Sequence, residues 1–151
     1  MDLAIRGGGH SCSAASSTEG GVVGILYFKH QLLTTVDLSR LRNVKVNTGN
    51  RIAYAQGGAL WSDFDDATTA HGLVSVGGTV SHTGIGGLIV GGGYGYLTGQ
   101  YGLAIDCLVG ATVVVADGRI VKANKTENPD LFWAIRGLTT MNLTDTARWR
   151  I

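Results

Sequence analysis

The sequence predicts an α+β domain in which mixed sheets are flanked by helices, and three stretches carry that prediction. Cys107 to Ala116 is a long β-branched run. It is followed by Asp117-Gly118 and a return strand, Arg119 to Ala123, which together read as a tight hairpin. Ala59 to His71 places apolar Leu60, Phe64, Ala67 and Ala70 at three-to-four-residue steps, with Asp63, Asp65 and Asp66 on the other side. That is an amphipathic helix, stopped by Gly72. Between these two stretches lies Val76 to Gly95, VGGTVSHTGIGGLIVGGGYG, whose apolar residues are spaced too irregularly for a plain helix or strand.

The glycine-rich stretch is the centre of the chain. Gly86-Gly87 and Gly91-Gly92-Gly93 mark runs where a side chain would be in the way. Backbone of this kind can approach a ligand closely, and a series of N–H groups in such geometry forms a nest for an anion. The simplest reading is a backbone wrapped around something large, flat and phosphorylated. The plainer alternative is a set of tight turns in a sheet-rich domain.

Composition narrows the choice. Glycine supplies 24 of the 151 residues, well above a usual share of about 7%. The net charge of +1, without a basic run, gives no pointer to nucleic acid. No apolar stretch approaches the ~20 residues that span a bilayer, and the residues before Gly7 are too few for a signal peptide. Cys12 and Cys107 suit a reduced pair or buried hydrophobes, and make neither a disulfide framework nor a metal site.

Taken in order, Leu3 to Ile5 ends a buried strand that runs into Arg6-Gly7-Gly8-Gly9-His10-Ser11, a strand-to-loop corner. Arg6 can add charge and Ser11 a hydroxyl donor to a phosphate contact. No helix follows, so this is not a dinucleotide GxGxxG turn. Gly20 to Thr35 is apolar and fits a strand pair, without a turn signal at its centre. Val36 to Leu38 is a short strand. Val44–Val46 and Ile52–Gln56 form a hairpin around residues 47–51. The aspartates of the 59–71 helix read as a solvated face rather than a metal cluster. Leu97 to Leu103 is irregular. Asn128 caps a helix with Pro129 at its first position, packed through Phe132, Trp133, Ala134 and Ile135 and stopped by Gly137. Residues 138–151 show no period and no place in the pattern.

Five segments then resemble a known family in order: IRGGGHS (5–11), VDLSRLRNVKV (36–46), AYAQGGALWSDFDDATTAHGL (53–73), the glycine-rich stretch with YLTGQYGLAID (96–106), and ADGRIVKANKTENPDLFWAIRG (116–137). The chain is similar to the PCMH-type FAD-binding domain of berberine-bridge-enzyme-like oxidoreductases, in the vanillyl-alcohol-oxidase superfamily; TVSHTGIGGLIVGGGYG is similar to fungal members. The resemblance implies FAD as cofactor, covalently held through His10 to the flavin 8α-methyl, with Arg6, Gly7, Gly8, Gly9 and Ser11 at the pyrophosphate. It implies that Gly77, Gly78, Thr79, Ser81, His82, Thr83, Gly84 and Gly87 line the other side of the diphosphate and reach the isoalloxazine. Tyr94 and Gly95 follow it, and Ile120 and Val121 meet the adenine end. Ser81 and Thr83 could equally cap turns.

The departures from the family are specific. The position of a second flavin-linking Cys in relatives is about Val80 here, which leaves a single linkage through His10. Residues 24–35 look like an insertion of about a dozen residues, consistent with retained intron sequence. After W-A-I-R-G the family's glycine-rich turn becomes Leu138-Thr139-Thr140-Met141, so 138–151 reads as a non-family tail on a partial FAD-binding domain of 1–137, incomplete at both ends. The family's substrate-binding domain and its catalytic base are not matched, so no residue here is assigned as catalytic and none as a metal ligand. His82 is expected to hydrogen-bond rather than act as an acid or base.

The leading expectation is an FAD-binding oxidoreductase domain that oxidises a small organic substrate of alcohol, sugar or alkaloid type when a substrate domain is supplied. The alternatives are a non-catalytic flavin-binding module and an unstable splicing or gene-model product. FAD is the expected partner, with neither nucleic acid nor membrane. Relatives are often secreted, and Asn124-Lys125-Thr126 and Asn142-Leu143-Thr144 are glycosylation sequons in that setting.

Overall fold

A computed structural model describes residues 2–11, 25–28, 31–137 and 146–150. Among these, the strands form two sheets. The first has the order β1 (Asp2–Arg6), β3 (Gln31–Asp37), β2 (Ile25–Phe28). β1 and β3 run parallel, with Arg6 opposite Asp37, and β2 and β3 are antiparallel. The second sheet has the order β4 (Val44–Asn47), β5 (Ile52–Gln56), β8 (Thr146–Arg150), β6 (Leu108–Val114), β7 (Ile120–Asn124), and is antiparallel throughout. The mixed-sheet α+β expectation is met.

The two predicted hairpins form where local turn chemistry dictates them. Asn47 Oδ1 accepts from Gly49 N and Asn50 N and closes the β4–β5 turn. Gly118 takes φ +85° between β6 and β7, and Asp117 Oδ1 accepts from Arg119 N. Alternation on β5 buries Ala53 and Ala55 completely. These small residues lie in one core with Trp61, Phe64, Ile85, Ile89, Val113, Phe132 and Ile135.

Several expectations are corrected. Helix α1 is Trp61–Thr69, and its buried face is Trp61, Phe64 and Thr68 rather than the row ending at Ala70, which is exposed. Trp61 meets Phe64 edge to face, with centroids 5.6 Å apart. Asp63 is no idle surface charge: it accepts from Leu60 N at the helix start and from both Nε and Nη2 of Arg42. Those hydrogen bonds, from Arg42 first, hold its carboxyl below the ordinary 3.8. Beyond the C-cap Ala70, Gly72 takes φ +66° and turns the chain away, with Leu73 N donating to Thr68 O and Gly72 N to Thr69 O.

The glycine-rich stretch does contain a helix, α2 (Ile85–Val90), which buries Ile85, Ile89 and Val90. Its glycines hide the pattern because packing, not propensity, holds it. A short α3 (Thr98–Tyr101) and a 3-10 turn at Ala104–Cys107 replace the irregular segment and the first residue of the predicted strand. In α4 (Pro129–Ile135), Asn128 has left-handed backbone and makes no side-chain cap; its Nδ2 donates to Lys122 O instead. Phe132 and Ile135 are buried, whereas Trp133 is 81% exposed. Within 138–151, residues Thr146–Arg150 form β8 between β5 and β6, so part of that segment has a definite place. Of the 24–35 segment, Ile25–Phe28 and Gln31–Thr35 lie in β2 and β3; its centre at 29–30 lies outside the described residues.

Candidate flavin site

A chain of backbone hydrogen bonds leads from the end of β1 to the glycine-rich stretch. Leu38 N donates to Arg6 O at 2.9 Å, Leu41 N to Leu38 O at 2.8 Å, and Gly58 N to Leu41 O at 3.0 Å. Ile85 N then donates to Ala59 O at 3.0 Å, Trp61 N to Thr83 O at 3.1 Å, and Ser62 N to Ser81 O at 2.9 Å. The start of α1 therefore fixes the loop 77–84 by its backbone. This satisfies orphan N–H groups at the helix N-terminus without a side-chain cap.

The two glycine segments meet directly. A methyl on Gly8 would overlap the backbone of Gly84, and a methyl on Gly84 would overlap Gly8 N. A methyl on Gly95 would overlap Gly77 O, and one on Gly58 would overlap Leu38 O. Under the loop lies the Trp61 indole. A Cβ on Gly77 would come 2.8 Å from Trp61 Cε3, and one on Gly78 would come 2.8 Å from Trp61 Nε1. Trp61 Nε1 is buried without a hydrogen-bond partner. Trp61 and the Gln56–Ala59 segment are the residues that sequence reasoning missed; the pair Gly57-Gly58 just before a helix was the available signal.

On the outer side of this backbone contact the side chains are exposed. His10 Nε2 and His82 Nδ1 are 2.8 Å apart, and the two ring planes are inclined by 22° with centroids 4.7 Å apart. The centroid separation exceeds the nitrogen–nitrogen contact by most of two ring radii, as for rings meeting edge to edge. Arg6 folds over the corner, with Nε 3.1 Å from where a Cβ on Gly9 would lie. Thr79, Ser81 and Ser11 are exposed, and so is Gly87, which has no atom within 4 Å of a Cβ built on it. The expectation that both runs exclude side chains is thus corrected at Gly87, and also at Gly91, where contacts are ordinary at 3.5 Å.

The structure therefore brings together Arg6, Gly7, Gly8, Gly9, His10, Gly77, Gly78, Ser81, His82, Thr83, Gly84 and Gly95. Tyr94 stands beside them, 72% exposed. Ile120 and Val121 lie on edge strand β7, where they pair with Val114 and Val113. Among the described residues no group of three or more His, Cys, Asp or Glu is placed to hold a metal ion, and no helix is long and apolar enough to cross a membrane.

The arrangement fits FAD. It offers a floor of backbone too tight for side chains, an open face at Gly87, a guanidinium at the corner, and a paired imidazole at the rim. Comparisons agree. A family described as FAD binding domain matches residues 1–124. An "FAD-linked oxidoreductase pgmH" of Aspergillus terreus is 45% identical over 138 residues, covering 91% of this chain and 25% of the relative. The crystal structure of 6-hydroxy-D-nicotine oxidase from Arthrobacter nicotinovorans superimposes with a TM-score of 0.85 at 29% identity, covering 99% of this chain and 30% of that one. Glucooligosaccharide oxidase from Acremonium strictum, whose structure is described as containing a 6-S-cysteinyl, 8α-N1-histidyl FAD, gives 0.79 at 33% identity, with 99% and 30% covered. The chain spans about a quarter of the length of the curated relatives it matches.

Proposed function

The chain belongs to the FAD binding domain family, and from that premise we propose that it is the FAD-binding portion of a flavin-dependent oxidoreductase acting on a small organic substrate. FAD is the cofactor of this domain. When bound, it supplies two-electron oxidation, which takes a hydride from a C–H bond of substrate. The alcohol, sugar or alkaloid classes are proposed by analogy with relatives that include a glucooligosaccharide oxidase and a 6-hydroxynicotine oxidase.

The observation that carries the reading is the mutual contact of Gly8 and Gly84 beneath the His10–His82 pair. It joins two segments far apart in sequence into one surface of exposed polar groups. In this reading the N–H groups of Gly7, Gly8 and Gly9 face the pyrophosphate, aided by Arg6 and Ser11. Gly77, Gly78, Thr79, Ser81, Thr83, Gly84 and Gly87 lie along the diphosphate and the isoalloxazine, with Tyr94 and Gly95 beyond. Ile120 and Val121 serve the adenine end through β7 backbone. His10 carries the flavin at its 8α carbon. Val80 stands where relatives place a second linking Cys, so the attachment is single. The described residues offer no assigned base for substrate, and the reading assigns that role to no residue of this chain.

The test is a purified chain incubated with FAD, denatured in acid and run on a gel under ultraviolet light. A fluorescent band that disappears in His10→Ala supports the reading. A chain that binds no FAD in solution, before denaturation, contradicts it.

A further inference from the structure

The resemblance places His82 only along the cofactor, yet its ring makes a side-chain hydrogen bond with His10 that joins the two glycine segments. We propose that His82 is a positioning residue for flavin attachment: its Nδ1 accepts the hydrogen on His10 Nε2, which leaves the lone pair of His10 Nδ1 to form the bond to flavin. This rests on the FAD-binding reading above.

The argument begins with the ring nitrogens. A neutral imidazole has one N–H donor and one lone pair, and the hydrogen bond made by one nitrogen decides the state of the other. Here Nε2 of His10 is taken up by His82 at 2.8 Å. If His82 donated, His10 would accept at Nε2 and carry its own hydrogen on Nδ1, and neither nitrogen could attack. If His10 donates, Nδ1 holds the lone pair. Only the second arrangement serves attachment.

The balance of the step assigns His82 a further part. The new bond runs from His10 Nδ1 to the flavin 8α carbon, and one C–H bond of the 8α-methyl breaks. Alkylation at Nδ1 makes the ring cationic until Nε2 releases its proton, and His82 Nδ1 is placed to take it. The 8α carbon contributes the second proton. The two electrons released pass through the flavin to a two-electron acceptor of the dioxygen class, which leaves as hydrogen peroxide with both protons. His82 is exposed, so its proton exchanges with water. Among the charged groups nearby, Arg6 reaches over Gly9 on the same corner and Asp37 lies opposite Arg6 on β3; among the described residues neither hydrogen-bonds either imidazole.

The experiment compares the wild-type chain with His82→Ala, His82→Asn and His10→Ala at FAD concentrations that saturate each, with non-covalent binding followed by flavin fluorescence. Attachment is followed separately by acid-stable fluorescence. His82→Ala is expected to slow attachment by about 10²-fold, the lower range for loss of a positioned proton acceptor. Added imidazole restores much of the rate to His82→Ala but not to His10→Ala. His82→Asn, whose Oδ1 accepts a hydrogen bond but takes no proton, falls between.

A wild-type rate in His82→Ala overturns the proposal, and so does failure of imidazole to restore it. If both His82 variants bind no flavin, His82 is a binding residue and the proposal falls. A wild-type chain that binds FAD but never attaches it overturns the proposal and leaves the FAD-binding reading standing; one that binds none overturns both.

Discussion

Gly8 and Gly84 lie so close that neither accepts a methyl, whereas Gly87, three residues beyond Gly84, faces open space. The same residue type thus serves two ends of one site. At the floor, glycine lets two backbones touch, so that a corner after β1 and a loop before α2 become one body. At the open face it leaves room for something other than protein. Glycine content alone does not separate these uses. The neighbours of the missing Cβ do.

The contrast can be broken by substitution, beginning with the largest effect. Trp61 lies beneath Gly77 and Gly78 and is 1% exposed. Trp61→Ala is expected to cost about 3–5 kcal/mol in urea unfolding and to abolish FAD binding with it. Gly95→Ala places a methyl on Gly77 O, and overpacking against backbone that cannot yield costs roughly 3 kcal/mol; the same measurement checks it. Gly72→Ala has space but sits at φ +66°, so the penalty is conformational, about 1 kcal/mol, and FAD affinity is unchanged.

Gly87→Ala separates floor from face most sharply. Alanine within α2 is expected to leave the chain as stable or up to about 1 kcal/mol more so. FAD affinity in a fluorescence titration should still fall by about tenfold, the effect of one crowded methyl group. Unchanged affinity would place the flavin elsewhere.

The smallest effect concerns Asp63. Its folded carboxyl titrates below 3.8 because Arg42 and Leu60 N hydrogen-bond the charged form. Its contribution is therefore complete above the ordinary carboxylate value and is lost as pH falls through the lower, folded one. The pair is partly exposed, so the contribution is small. Asp63→Asn should flatten the acid limb of stability below about pH 4 while leaving neutral stability nearly intact.

What was legible in the sequence was local. The hairpin at Asp117-Gly118 needs only a turn dipeptide and flanking β-branched residues, and it formed as expected with strand ends shifted by one or two positions. The corner 6–11 was legible because glycines after a strand are unusual. Helix α2 was not, since Gly86 and Gly87 weaken its propensity and only burial of Ile85, Ile89 and Val90 reveals why it holds. β8 was not legible either, because its pairing with β5 and β6 spans the chain and leaves no mark on residues 146–150 alone. In the site, the individual segments could be read from sequence, but the contact between His10 and His82, 72 residues apart, could not.

The most direct measurement is a peptide map of the FAD-incubated chain after acid denaturation. Trypsin cuts after Arg6 and Lys29, which leaves His10 as the one histidine on residues 7–29, and after Arg51 and Arg119, which puts His82 together with His71 on residues 52–119. Flavin fluorescence confined to the 7–29 peptide is the predicted result. Flavin on the 52–119 peptide, or flavin released entirely into solution, would contradict attachment at His10.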